Sequence, residues 1–454
     1  MAFLDEEYLL ESASAQRLYD EIRDLPILDP HSHVDVAALA RNEGWNDIWE
    51  IEGETDHYIW ELMRKRGVPE RKITGDATNR EKWDALAAVF PKFAGNPSYE
   101  WVHLDLKRRF GIDKPISAET ADDIWTESKA ILDNPEMRQQ QLLREMNVEV
   151  VSSTDDPTSD LADHQMLDDE FDEITVRPTW RPDTAMGIEK AGWQEYVTNL
   201  GDATDTDIAD LDGFLAALQT SHEYFEANGC GASDHGLSEI VSKPVAQHRA
   251  ADVYERAYAR ERLTDDDIAD FKAFVLERIG EFNRDTDWVT QLHIGPVRDY
   301  RDSLHDELGA DAGGDISKGD LELADGLRYF LNRFDEELEI VLYVVDPTHY
   351  PTIVTIARAF PNVSVGAAWW FNDSPYGMES QLEYVGTADL LANYGGMVSD
   401  SRKLISFGSR FEMFRRSLSN TVGEMVERGQ MPMDVARDLV RQVAYKRPAA
   451  LWDI

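Results

Sequence analysis

Eight short runs rich in Val and Ile recur along this 454-residue chain, each ending in polar residues. They are Ile27 to Asp29, Val148 to Ser153, Ile174 to Thr179, Gly231 to Ser233, Trp288 to Leu292, Ile340 to Val345, Val363 to Gly366 and Gly396 to Ser399. Helix-length segments lie between most of them, for example 251–283 and 320–335. Strands buried on both faces read as continuous apolar runs, and strands alternating with helices pair in parallel. Eight such units predict an α/β fold of the (β/α)8 TIM-barrel type, in which chemistry gathers at the C-terminal strand ends. In this chain the polar residues fall at those ends.

Three stretches follow from this pattern. Residues 1–44 hold an acidic amphipathic helix, expected over 5–24, and the first barrel strand. From Trp45 to Met146, Leu, Trp and Phe recur at three- and four-residue spacing with turn signals between, which predicts an α-helical insertion over 45–146. Residues 147–454 carry the remainder of the barrel and close with helices over 408–454. The insertion follows at once on the first strand and is expected to hang over its end.

That first strand runs on into Pro30-His31-Ser32-His33. Side chains two positions apart on a strand face the same way, so His31 and His33 present two imidazoles to one divalent ion. Barrel closure makes the first and last strands neighbours, which brings Asp400 beside the pair. Two imidazoles and a carboxylate, with a position left for water or substrate, make an open catalytic zinc site. His293, at the end of the fifth run, lies across the barrel mouth as a further ligand or a proton carrier. No lysine ends the fourth run, Ser233-Asp234-His235, which argues for one divalent ion, Zn2+, and against a lysine-bridged pair of ions. The lone Cys230 excludes an intrachain disulfide and sits in a Gly-rich turn, where packing is the expected role.

Charge narrows the partners. The chain has 45 Lys and Arg against 88 Asp and Glu, a net charge of −43. Such a surface repels nucleic acid and anionic membranes, so neither is expected as a partner, and an acidic small substrate would need its own local arginines. The acids are spread along the chain, which points to a folded, uniformly charged surface suited to a high-salt, halophilic cytoplasm. The opening Met1 to Glu7 lacks the layout of a signal peptide, and no apolar run reaches membrane-spanning length. A cytoplasmic enzyme is expected.

Further motifs accompany the His pair: Asp56-His57-Tyr58-Ile59-Trp60, Thr154-Asp155-Asp156-Pro157, Arg177 to Asp183 (Arg-Pro-Thr-Trp-Arg-Pro-Asp), Ser233-Asp234-His235-Gly236, Gln291 to Gly295, Trp369 to Asp373, and Asp400-Ser401-Arg402. At these positions the chain resembles the uronate isomerases of the amidohydrolase superfamily, in the family's order from residue 27 to roughly 450. The resemblance implies aldose–ketose isomerisation of hexuronates, D-glucuronate to D-fructuronate and D-galacturonate to D-tagaturonate. Such chemistry moves a proton between adjacent carbons through an enediol, so it needs a base and an electrophile. By similarity, His31, His33 and Asp400 hold zinc and Asp400 shuttles the proton. His57 and Tyr58 handle sugar hydroxyl protons, ring opening included. The substrate carboxylate calls for a bidentate guanidinium, with Arg402, Arg298 and Arg181 as candidates and Arg402 favoured by its closeness to Asp400. His235 and Trp369 or Trp370 are expected to line the pocket, and relatives suggest a homo-oligomer. The alternatives are a metal-dependent amidohydrolase or lactonase on the same barrel, and a non-catalytic barrel that binds sugar acids.

Overall fold

A computed structural model describes residues 3–171 and 173–453. It is an α/β fold on parallel sheets. Strands β1 (Ile27–Asp29), β2 (Val148–Ser152) and β3 (Thr175–Arg177) pair in that order in one sheet. Strands β4 (Ala232–Leu237) and β5 (Val289–Ile294) open a second sheet. After them, β6 (Pro296–Val297) and β7 (Ile316–Ser317) form a small antiparallel ribbon. Strands β8 (Ile340–Val344) and β9 (Val363–Val365) complete the second sheet, whose order is β4-β5-β8-β9. Every pair in the two larger sheets is parallel. Strand β8 is apolar at every position and buried at every position, the pattern of a strand covered on both faces.

Backbone hydrogen bonds link the two sheets at both edges. Trp180 bridges Asp155 and Ser233: its N–H donates to Ala232 O at 3.2 Å, and Asp234 N–H donates to Trp180 O at 3.0 Å. At the other edge, Gly395 N–H donates to Val365 O at 2.9 Å and Asp400 N–H to His31 O at 3.1 Å. His33 N–H in turn donates to Ser401 O at 3.0 Å.

Seven of the eight predicted runs form strands. The eighth, 396–399, is an irregular extended segment. Gly396 takes a left-handed backbone (φ +101°), and a Cβ there would lie 2.7 Å from Pro448 Cγ, so the chain bends where a ladder would need it straight. The N-terminal helix is also shorter than expected, Ala13–Ile22 rather than 5–24. Ser12 caps it by accepting Ala15 N–H at 3.0 Å, while Leu4 and Leu9 sit at positive φ and cannot extend it. Between β1 and β2 all described elements are helical, from Val36–Ala40 to Gln139–Glu145. One of them, His57–Lys65, faces the loop that follows Asp400.

Candidate metal centre and its surroundings

Beyond β1 the chain presents His31 and His33 toward the segment 395–401. His31 Nε2 and His33 Nε2 each lie 3.2 Å from the same oxygen, Asp400 Oδ1. Ligand atoms 2.0–2.1 Å from a tetrahedral ion stand about 3.3 Å from one another, so the three groups fit one divalent cation. Asp400 adopts a left-handed backbone (φ +48°), a conformation Asp tolerates, which turns its carboxylate to the pair. Its second oxygen accepts Trp369 Nε1–H at 2.8 Å.

Charge favours the metal-binding forms of Asp400 and His33 but not of His31. Burial opposes ionisation of Asp400, yet hydrogen bonds from His31 and His33 hold its carboxyl well below the usual range. Burial also lowers both imidazoles. His31, which faces the Asp234 and Asp400 carboxylates, nevertheless ends above its ordinary value, whereas His33 ends below it. A neutral imidazole with a free lone pair is the form a metal needs.

A second cluster lies behind the first. Asp234 Oδ1 is 2.6 Å from His293 Nδ1, and Asp234 Oδ2 is 2.9 Å from Arg181 Nη1 and 3.7 Å from His31 Nδ1. Burial opposes ionisation of Asp234, but the Arg181 cation, His31 and His293 together keep it well below the usual carboxyl range. Burial takes His293 down to about 4, and its ring stacks on Tyr343 with centroids 4.2 Å apart. Sequence reasoning passed over Asp234, although strand alternation could have found it. Ser233 and His235 share one face of β4, so Asp234 must take the other.

One expectation needs correction. His235 does not line the cluster: its Nε2 is 2.9 Å from Ser233 Oγ, which accepts Asn283 Nδ2–H from the helix Asp265–Asp285 at 2.7 Å. It is buried toward the helices. Arg181 borders this second cluster, with Nη1 on Asp234 and Nε on Asp183 at 2.8 Å.

The other predicted residues border the centre. Asp56 caps the helix His57–Lys65, accepting Tyr58 N–H at 2.9 Å. Both Asp56 and Glu52 lie 3.0 Å from Lys403 Nζ, so the start of this helix is tied to the segment just past Asp400. The His57 ring stacks on Tyr58 at 4.7 Å and meets Trp370 edge-on at 6.2 Å, and burial takes the imidazole down to about 4. His57, Asp400 and Arg402 line one narrow cleft, with Arg402 3.4 Å from Asp311. Arg298 lies over the Trp370 ring at 4.3 Å and 3.4 Å from Asp315. Trp370 itself holds φ +57°, an outlier for a bulky residue and the kind of strain that gathers at functional sites. Cys230 is buried, which pushes its thiol up to about 12 and fits a packing role.

Comparison with known proteins agrees along the whole length. The family model for glucuronate isomerase matches residues 1–452. A curated uronate isomerase from Thermotoga maritima is 59% identical over 450 residues, covering 99% of both chains. Another, from Oceanobacillus iheyensis, is 35% identical over 465 residues, covering 99% of this chain and 98% of its own. The crystal structure of the Thermotoga maritima uronate isomerase superposes with a TM-score of 0.98 over 100% of both chains, at 58% identity. That of glucuronate isomerase from Caulobacter crescentus superposes with a TM-score of 0.95, covering 100% of this chain and 97% of its own, at 26% identity.

Proposed function

Because the chain belongs to the uronate isomerase family and is an aldose–ketose isomerase, we propose that it interconverts D-glucuronate with D-fructuronate and D-galacturonate with D-tagaturonate. The observation that carries this reading is the meeting of His31, His33 and Asp400 on one point, with His57, Tyr58 and the arginines Arg298 and Arg402 around it.

We read the two sheets, with the Trp180 bridge and the bonds across 395–401, as one closed (β/α)8 ring. Residues 45–146 are its helical insertion, between the first strand at 1–44 and the remainder at 147–454. His31, His33 and Asp400 would hold one divalent ion, Zn2+ being the best match to two imidazoles and a carboxylate. When bound, that ion supplies a Lewis acid for the substrate's oxygens. A single ion suits the site because the neighbouring carboxylate, Asp234, already has the Arg181 cation as its partner.

Asp400, kept ionised, takes the proton from C2 of the open-chain aldose and returns it to C1 of the enediol. Trp369 N–H orients that carboxylate. Tyr58 and His57 exchange protons with sugar hydroxyls, and His57, held neutral by burial, is able to accept one during ring opening. Arg402 and Arg298 receive the substrate carboxylate. His293, held by Asp234 against Tyr343, acts as a proton carrier rather than a ligand. The −43 net charge supports a halophilic setting, and we assign the enzyme to the cytoplasm as a homo-oligomer. No helix among the described residues is long and apolar enough to cross a membrane.

The test is incubation of the Zn2+-loaded protein with each uronate in deuterated water, following ketose formation and deuterium entry at C1, beside generic esters and lactones. Ketose formation that disappears in Asp400→Asn is expected. Ester or lactone turnover without ketose would favour the hydrolase reading instead, and binding without turnover the non-catalytic one.

A further inference from the structure

Two charged groups, Asp373 and Arg410, lie behind Tyr58. Tyr58 O–H donates to Asp373 Oδ2 at 3.2 Å. The same oxygen accepts Arg410 Nη1–H at 2.8 Å, and Arg410 Nη1 also donates to Ser399 O at 3.1 Å. The guanidinium lies 3.8 Å over the Trp101 ring, and that indole also packs edge-on against Tyr58 at 5.8 Å. Arg410 and Asp373 are 1% and 4% exposed, so the pair is sealed from water. Three distant stretches meet here: the helix His57–Lys65, the turn Trp369 to Asp373, and the helix Ser406–Glu427.

A phenol has one proton and two lone pairs. With its proton given to Asp373, Tyr58 has only lone pairs left to offer a bound sugar. Resting on the proposed role of Tyr58 at the substrate, we propose that Asp373, held by Arg410, is a positioning residue that fixes Tyr58 as the acceptor of a substrate hydroxyl proton. In the forward direction the substrate O–H proton passes to the Tyr58 oxygen while the phenol's own proton passes to Asp373 Oδ2. The reverse transfer restores both groups, and no other donor is needed. Burial pushes Asp373 up to about 7 even though Arg410 pulls it down, so this carboxyl exchanges a proton near neutrality. Burial pushes Tyr58 well above its ordinary value, so the phenol does not lose a proton without passing it on.

A double-mutant cycle on the metal-loaded enzyme tests this. Tyr58→Phe is expected to lower kcat about 100- to 1,000-fold and Asp373→Asn about 100-fold, with KM little changed, as for loss of a proton-transfer group. The double variant should then fall within about twofold of Tyr58→Phe alone, because Asp373 acts only through the phenol. Multiplying losses, or an Asp373→Asn variant with wild-type kcat, would overturn the proposal. Should Asp373→Asn fail to fold with Arg410 left unpaired, Asp373→Asn/Arg410→Gln removes both buried charges together and is read in the same way. A separate measurement needs no turnover: the Tyr58 ring Cζ signal in 13C-tyrosine-labelled protein is expected to shift in Asp373→Asn. An unmoved signal refutes the hydrogen bond, whereas a wild-type enzyme inert toward uronates with a shifted signal counts against the functional reading alone.

Discussion

Replacing Lys403 by Met isolates the cation that ties the start of the helix His57–Lys65 to the Asp400 segment. Its Nζ lies 3.0 Å from both Glu52 Oε2 and Asp56 Oδ2, with all three side chains buried and Asp105 close by. Met keeps the stem's volume but leaves the carboxyls facing one another. Removing one partner of a buried ion pair costs about 3–5 kcal/mol. Unfolding entropy of about 2 cal/mol/K per residue gives about 1 kcal/mol/K for a chain of this length, so Tm should fall by about 3–5 °C. The deficit must also grow with pH. Burial holds Glu52 up at about 8 and Asp105 up at about 7, against ordinary values of 4.5 and 3.8, with Lys403 pulling both down. Groups raised in the folded state contribute stability in full below their unfolded values and lose it as pH rises through the folded ones. Asp56, which Lys403 holds below the ordinary carboxyl range, joins them once the cation is gone: buried and unpaired, it too must lose stability as pH rises above 3.8, so the variant's loss is larger. Thermal unfolding by circular dichroism should therefore show a smaller deficit at pH 5 than near pH 8.5. Equal deficits at both pH values, or none, would refute the reasoning.

Other variants probe the remaining contacts. Trp369→Phe removes the N–H that orients Asp400, a hydrogen bond to a charged group worth about 1.5–3 kcal/mol. Its kcat should drop roughly 10- to 100-fold while zinc content by mass spectrometry stays at one ion, and lost zinc would contradict an orienting role. Arg181→Met strands the buried Asp234 charge and should lower Tm by several degrees, whereas Arg181→Met/Asp234→Asn should recover most of that loss. Additive losses would show that the 2.9 Å pair is not the reason. Raising KCl from 0.1 to 1 M shortens the screening length from about 10 to 3 Å, so a chain of net charge −43 should gain several degrees in Tm. A flat salt profile would remove the argument for a halophilic surface.

Legibility in the sequence followed range. Strands such as β8 were plain because an unbroken apolar run is buried on both faces wherever the chain goes. The eighth run failed because its course depends on Pro448, more than fifty residues away, packing against Gly396. His31 and His33 could be paired from a two-residue spacing, yet His235 was chosen over Asp234, since only the neighbouring elements show which face of β4 turns to His31 and His293. Arg410 looks like any other charge in a helix until Asp373 and Trp101 surround it.

The sequence by itself determined the alternating strand and helix order, the paired imidazoles and the acidic surface, because these rest on spacing and composition within a few residues. Only the tertiary structure decided which cation each buried carboxylate meets: Arg181 for Asp234, Lys403 for Glu52 and Asp56, Arg410 for Asp373. The physical reason is that a buried charge is stabilised over a few ångströms, and distances of that order between residues hundreds of positions apart exist only once the chain has folded.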